Sequence, residues 1–174
     1  MANIPIQGFC KTHPEYIIAY SIEGIQDGEA KLKIAVIDGQ GGGIGSSLVA
    51  GLREHYGEKV EILAIGTNVQ ATSSMLKAGA DLGATGENAI IVNAAKVDII
   101  AGPIGIILAN SMLGELTPAM AGAIGESSCE KILVPIQKCR ITIAGTEPMP
   151  MQMLITDAIS KIEQLITPLT SGRS

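Results

Sequence analysis

A run of glycines between residues 39 and 45 has the composition of a loop that binds phosphate. The segment 38–45 reads DGQGGGIG and lies between a short apolar run and an amphipathic one. Glycine lets the backbone turn tightly and approach a ligand closely. A helix that begins here would offer free N–H groups and its dipole to an anion. The segment therefore predicts a turn that binds a phosphate or nucleotide, and a tight turn without a ligand is the alternative.

The spacing of these glycines is similar to the G-x-x-x-G-I-G loop of short-chain dehydrogenases, which the chain meets from Gly39 to Gly45. It does not match the strict G-x-G-x-x-G fingerprint, and no G-K-[ST] follows that would make it a Walker A loop. Asp38 has two interpretations: a ribose or metal contact, or a turn residue that caps amides. All eight residues are candidate cofactor contacts: Asp38, Gly39, Gln40, Gly41, Gly42, Gly43, Ile44 and Gly45.

Polar or glycine residues also follow the next two predicted strands. Thr67 and Asn68 come after the second strand, and Gly102 and Pro103 come after the third. We expect all four near the glycine loop, because parallel strands end at one edge of a sheet. No Asp or Glu follows the second strand to hold a ribose diol, so Thr67 or Asn68 could donate to a 2′-phosphate or another ligand. NAD or NADP is the suggested cofactor. The Tyr-x-x-x-Lys pair of short-chain enzymes is absent, which leaves the catalytic residues unknown.

Other motifs are less specific. Residues 83–88 form a second glycine turn, for which a capped turn without a ligand is favoured. Asn110 is either a ligand contact or a satisfied helix side chain. Cys10 and His13 have metal-ligand spacing, but no second pair completes a site, so no metal is predicted. Core or subunit packing is the favoured role of a methionine cluster: Met149, Met151 and Met153.

The hydrophobic pattern predicts strands that alternate with helices. The predicted strands are residues 32–37, 60–65, 97–101, 131–135 and 140–144. The predicted helices are residues 46–56, 70–80, 87–95, 106–113, 118–124 and 152–166. Because few residues separate the last two strands, we expect that pair to be antiparallel. The fold class is α/β: a three-layer Rossmann-like sandwich with a mostly parallel sheet. Residues 32–174 form this domain, preceded by an N-terminal arm or edge hairpin at residues 1–31.

Composition narrows the classes of function. The chain has 174 residues, a net charge of −5 and four aromatic residues, which disfavours nucleic-acid binding. No segment predicts a membrane span, and three cysteines without a secretory signal suggest the cytoplasm. Only 17% of the residues are charged, whereas about 25% is usual, so we expect a homo-oligomer that covers part of its surface.

Longer motifs resemble a family of uncharacterised bacterial proteins. These are KIAVIDGQGGGIG, GTNVQATSSMLKAGAD, GATGENAI and GPIGIILANSMLGELTPAMA, within a resemblance that covers roughly residues 32–166. The chain is similar to the domain-of-unknown-function 3842 family. That resemblance implies a Rossmann-like fold and no established activity.

Two functions of different classes follow from these observations. The first is binding of a nucleotide or dinucleotide, in a protein that could be an NAD(P)-dependent oxidoreductase. The second is a non-catalytic homo-oligomeric module for ligand sensing or assembly. A phosphorylated small metabolite in the same loop is a third alternative. Whether the protein is an enzyme stays open at this point.

Overall fold

The computed structural model describes residues 31–136 and 141–166. The predicted N-terminal arm, the pair Cys10 and His13, and Cys139 lie outside these residues. Among the described residues, no helix is long and apolar enough to cross a membrane.

Within the part of the chain that the structure describes, five strands form one sheet in which every pairing is parallel. In the order β3-β2-β1-β4-β5, neighbouring strands are hydrogen-bonded. The strands are β1 (Leu32–Asp38), β2 (Val60–Gly66), β3 (Leu82–Thr85), β4 (Ile99–Pro103) and β5 (Glu130–Val134). Strand order reverses between β1 and β4, which is the switch point at which open α/β sheets bind their ligands.

The described residues also form five α-helices, which cover the two faces of the sheet. They are α1 (Gly43–Tyr56), α2 (Val69–Lys77), α3 (Glu87–Ala94), α4 (Pro118–Glu126) and α5 (Met151–Ile166). Helices α1, α2 and α5 pack on one face, and α3 and α4 pack on the other. The predicted three-layer α/β sandwich is therefore confirmed.

The central strand β1 shows why its sequence is apolar without alternation. Ile34 and Val36 belong to the core under α1, α2 and α5, whereas Ala35 and Ile37 belong to the core under α3 and α4. Successive side chains of a strand point to opposite faces, and here both faces are buried. All four side chains are inaccessible to solvent.

The predicted antiparallel strand at residues 140–144 is wrong. Residues 141–144 form no strand, and among the described residues every strand pair is parallel. The branched residues Ile141, Thr142 and Ile143 line a surface cleft and do not pair with a neighbouring strand. Branched residues favour strands only where a neighbouring strand can pair with them.

Strand β3 was predicted as part of a glycine turn. Gly83 lies within this four-residue strand, paired with Ala64 of β2. A Cβ atom on Gly83 would lie 2.7 Å from Cδ1 of Leu76 and 3.0 Å from Cγ2 of Thr72. The glycine thus allows helix α2 to pack closely on the strand, and this contact cannot be recognised from local sequence.

The helix predicted for residues 106–113 is also wrong. A short 3₁₀ turn, Ile104–Ile107, is followed by irregular backbone and a second turn, Met112–Gly114. Asn110, Met112 and Leu113 have φ values of 63°, 56° and 61°. An α-helix cannot continue through this left-handed conformation.

Candidate functional site

The glycine loop, residues 39–45, connects β1 to α1 at the switch point of the sheet. Gly42 is the N-cap of α1 with φ of 69°, and its N–H donates to the carbonyl of Gly39 at 2.9 Å. The carbonyl of Gly42 then accepts the first helical hydrogen bond, from Ser46 at 2.8 Å. The helix that follows has 14 residues, so its N-terminal amides and dipole face this edge of the sheet.

Asp38 stabilises the loop from within. Its side chain is only 5% exposed. One carboxylate oxygen accepts the N–H of Gly39 and the other accepts the N–H of Gly45, each at 2.7 Å. Burial raises the pKa of Asp38, and nearby Glu115 raises it further, whereas the N–H groups of the loop lower it; the net shift is upward. The side chain caps the loop's amides, which is one of the two roles that its position suggested.

The loop glycines fall into two groups, of which the first serves packing. A Cβ atom on Gly39 would lie 2.6 Å from Sδ of Met112, and one on Gly45 would lie 2.5 Å from Sδ of Met75. A Cβ atom on Gly42 would lie 2.7 Å from the backbone of Ala71. These three positions are filled by the protein itself, so their glycines are explained without a ligand.

Gly41 and Gly43 form the second group, and both are exposed. A Cβ atom on Gly43 would meet nothing within 4 Å, and one on Gly41 would meet only the amide of Gln70 at 3.9 Å. Among the described residues, neither N–H has a hydrogen-bond acceptor. These two amides are the donors of the loop that remain available to an anion.

Gly41 and Gly43 line a cleft of about 1280 Å³. The glycine loop forms one wall, the residues after β4 form a second, and residues 141–154 form a third. Eight of the twelve predicted contacts line this cleft: Asp38, Gly39, Gln40, Gly41, Gly42, Gly43, Ile44 and Pro103. The other four do not line it: Gly45, Thr67, Asn68 and Gly102.

The walls of the cleft are mostly apolar, and no Lys or Arg of the described residues lines it. Its acidic lining residues are Asp38 and Glu147. The third wall is not predicted from the sequence, although its proline, isoleucine and methionine residues form an apolar segment before α5. Side chains of this wall include Ile141, Ile143, Pro148, Met149, Met151 and Leu154.

Thr67 and Asn68 donate hydrogen bonds to Glu115, which is not among the contacts predicted from the sequence. Oε2 of Glu115 accepts the Thr67 hydroxyl at 2.6 Å and the Asn68 side-chain amide at 2.8 Å. The same oxygen accepts the N–H of Gln40 at 2.8 Å. These bonds, that of Thr67 first, lower the pKa of Glu115. Only the long-range fold brings Glu115 here, 48 residues after Thr67.

The remaining candidates have structural partners. The carbonyl of Ile37 lies against Gly102, so a Cβ atom there would collide with backbone. Asn110 lies in a loop, and its N–H donates to the carbonyl of Leu116 at 2.7 Å. Glu87 of the second glycine turn accepts the hydroxyl of Thr117, the N-cap of α4. Within residues 31–136 and 141–166, no group of three His, Cys, Asp or Glu could hold a metal ion.

Fold and loop together define a Rossmann-like α/β protein with a candidate anion-binding turn at the switch point of a parallel sheet. The model of the family described as Domain of unknown function (DUF3842) matches residues 33–167. The chain belongs to that family.

Two solved structures are similar to this chain in fold. One is a dodecameric FMN-dependent UbiX-like decarboxylase from Escherichia coli O157:H7, with 15% identity, a TM-score of 0.39 and coverage of 82% of this chain and 86% of that one. The other is lactate dehydrogenase from Eimeria maxima with NADH and oxamate, with 13% identity, a TM-score of 0.37 and coverage of 79% and 42%. At these TM-scores neither structure bears on the ligand. No curated protein matches the chain.

Proposed function

We propose that the protein binds a nucleotide, with its phosphate on the amides of Gly41 and Gly43 and its remainder in the cleft. The observation that carries the proposal is the division of the loop glycines. Three of them are required by the packing of the protein, but Gly41 and Gly43 leave backbone and space open towards the cleft. Loops in which glycine admits a phosphate close to a helix N-terminus have this arrangement.

The charges that line the cleft favour a ligand with few phosphate groups. Two free amides and a helix dipole suit one phosphate group. Among residues 31–136 and 141–166, no Lys or Arg lines the cleft to neutralise a polyphosphate, and Asp38 and Glu147 would repel one. The apolar wall at residues 141–154 suits a flat, uncharged ring. A ligand with one phosphate and an apolar ring therefore fits better than a nucleoside triphosphate.

An NAD(P)-dependent oxidoreductase is the alternative, enzymatic form of nucleotide binding, and it requires a ligand with two or three phosphates. The nicotinamide ring would lie against the apolar wall, and the cofactor itself would carry the hydride. Asp38 is the buried titratable group that lines the cleft, and its raised pKa makes it the first candidate for a proton-transfer role. Its two hydrogen bonds to the loop also give it a purely structural role, so activity has to be tested separately from binding.

Native mass spectrometry of the freshly purified protein, followed by calorimetric titration with NAD, NADP, AMP and ATP, tests the proposal. We expect a bound or titratable nucleotide, and we expect ATP to bind more weakly than AMP. If no nucleotide binds at millimolar concentration, the proposed function is wrong.

A homo-oligomeric assembly module is the second candidate, and the rim of the cleft favours it. Of the residues that line the cleft, Leu113 is 98% exposed, and Met149 and Met151 are each 42% exposed. Large apolar side chains grouped at one rim are typical of subunit contacts as well as ligand sites. Light scattering would show a mass above 18.0 kDa for an oligomer. If Leu113→Asp reduces that mass to the monomer, the rim is an interface. A monomeric wild type excludes the module.

A further inference from the structure

Glu115 connects the two loops between which the second half of a dinucleotide would have to lie. A dinucleotide extends across the switch point, from the end of one half of the sheet to the other. On the β2 side, its path runs between Gln40 of the glycine loop and Thr67 at the end of β2. Oε2 of Glu115 lies in that gap, 2.8 Å from the Gln40 nitrogen and 2.6 Å from the Thr67 hydroxyl. No ligand atom fits between groups that share one oxygen in this way.

Met112 closes the same gap from the cleft side. Its sulfur lies 2.6 Å from the position that a Cβ atom on Gly39 would take, and Met112 also lines the cleft. Met112 thus lies between the cleft and the end of β2, because Thr67 and Asn68 are not among the residues that line the cleft. Residues from 141 to 154 line the cleft with apolar side chains, and among the described residues no comparable contact with the glycine loop is found on that side.

Backbone strain is concentrated in the two loops that meet at Glu115. Among the described residues, the non-glycine residues with positive φ are Gln40, Asn110, Met112 and Leu113. Three of them lie in the 110–116 loop, whose ends are joined by the bond from the Asn110 N–H to the Leu116 carbonyl at 2.7 Å. Positive φ is unfavourable for such residues, and it persists where surrounding contacts hold it, typically at ligand sites. The contacts that hold Met112 and Glu115 in the gap are therefore strong enough to hold this strained loop as well.

We propose that Glu115 and Met112 select the ligand by closing the β2 side of the site, so that a 5′-mononucleotide with one phosphate binds and a dinucleotide is excluded. This inference rests on the proposed function and narrows it, because it excludes the NAD(P)-dependent alternative. The Glu115 carboxylate also occupies the hydrogen-bond donors of this part of the site. It accepts hydrogen bonds from the Gln40 N–H, the Thr67 hydroxyl and the Asn68 side-chain amide. These donors would otherwise be available to a second phosphate or a ribose.

Matched pairs of ligands test the proposal, because FAD contains FMN and NAD contains NMN. We would measure the affinity of all four by calorimetry for the wild type, Glu115→Ala and Met112→Ala. We expect each dinucleotide to bind the wild type at least tenfold more weakly than its own mononucleotide half. Glu115→Ala should reduce that ratio at least tenfold, and Glu115→Gln, which keeps the bulk, should reduce it less.

The controls keep the result interpretable. Glu126→Ala removes an exposed carboxylate at the end of α4, on the opposite edge of the sheet, and should leave all four affinities unchanged. Met112→Ala leaves the three bonds of Glu115 in place, so it tests the closure even if Glu115→Ala unfolds the 110–116 loop.

Each outcome separates the two proposals. Dinucleotides that bind the wild type as tightly as their halves overturn the closure but keep the proposed function. A mononucleotide preference that neither Glu115→Ala nor Met112→Ala reduces also overturns the closure alone. If no protein in the series binds any of the four ligands, the proposed function fails and the closure fails with it.

Discussion

The carboxylate of Asp38 accepts the backbone N–H of Gly45 at 2.7 Å, which joins the end of β1 to the first turn of α1. The bond uses one of the amides that a helix N-terminus would otherwise offer to a ligand. The anion-binding capacity of the glycine loop is therefore smaller than its sequence suggests. Gly41 and Gly43 keep free N–H groups, whereas the amides of Gly39 and Gly45 are already bonded.

Replacing Asp38 with alanine should destabilise the fold. The N–H groups of Gly39 and Gly45 would lose their buried acceptor, and each unsatisfied group costs about 1–3 kcal/mol. We expect Asp38→Ala to lower the free energy of unfolding by about 2–4 kcal/mol in urea titrations. Asp38→Asn keeps one acceptor oxygen and should lose less. A change below about 0.5 kcal/mol for Asp38→Ala would show that the capping bonds contribute nothing.

Glu115 should make stability depend on acidic pH. Its folded-state pKa is lowered, so the stability that it contributes is present above its unfolded-state pKa and is lost as pH falls through the folded-state pKa. Wild type should therefore be more stable than Glu115→Gln at neutral pH, and the difference should shrink below the ordinary glutamate range. Urea titrations of both proteins across this range measure it. A difference that is constant with pH would mean that the charge of Glu115 is irrelevant.

Asp38 should make stability depend on pH in the opposite direction. Its pKa is raised, chiefly by burial, so the stability of the neutral form is present below the unfolded-state pKa and is lost as pH rises through the folded-state pKa. Glu115 is one cause of this shift, so Glu115→Gln should lower the pKa of Asp38. Carbon-13 NMR of the carboxyl groups follows the titration directly. An Asp38 pKa below the ordinary aspartate range would contradict the burial argument.

The alternation of apolar strands and helices was enough to predict the three-layer sandwich and the position of the glycine loop. The spacing of apolar residues in a strand or a helix can be read from a short stretch of sequence, and β1 and α1 show it clearly. The sequence could not show which loop amides are free, because that depends on the bonds of Asp38 and on packing against Met75 and Ala71. Nor could it reveal Glu115, whose partners are distant in the chain and meet only in the folded sheet.

Gly102 should be required for folding, independently of any ligand contact. A Cβ atom there would collide with the carbonyl of Ile37 in the neighbouring strand β1, and paired backbone cannot move away. We expect Gly102→Ala to destabilise the protein by about 1–3 kcal/mol or more, as overpacking of a core does. The measurement is the urea midpoint, or soluble yield where the variant does not fold. A soluble variant with an unchanged midpoint would restore Gly102 as a candidate ligand contact.

Gly43 is the position at which binding and folding can be separated. Its Cβ space is empty, so Gly43→Ala should change the thermal midpoint by only a few degrees, while Gly43→Val should crowd a phosphate on the adjacent amides. We expect at least a tenfold loss of nucleotide affinity for Gly43→Val by calorimetry, equivalent to about 1.4 kcal/mol. The matched control is Gly125→Ala, an exposed glycine of α4 whose Cβ space is also empty. Gly125→Ala should leave affinity unchanged, because that end of α4 lies at the opposite edge of the sheet. Undiminished nucleotide affinity in Gly43→Val would place the ligand somewhere other than the glycine loop.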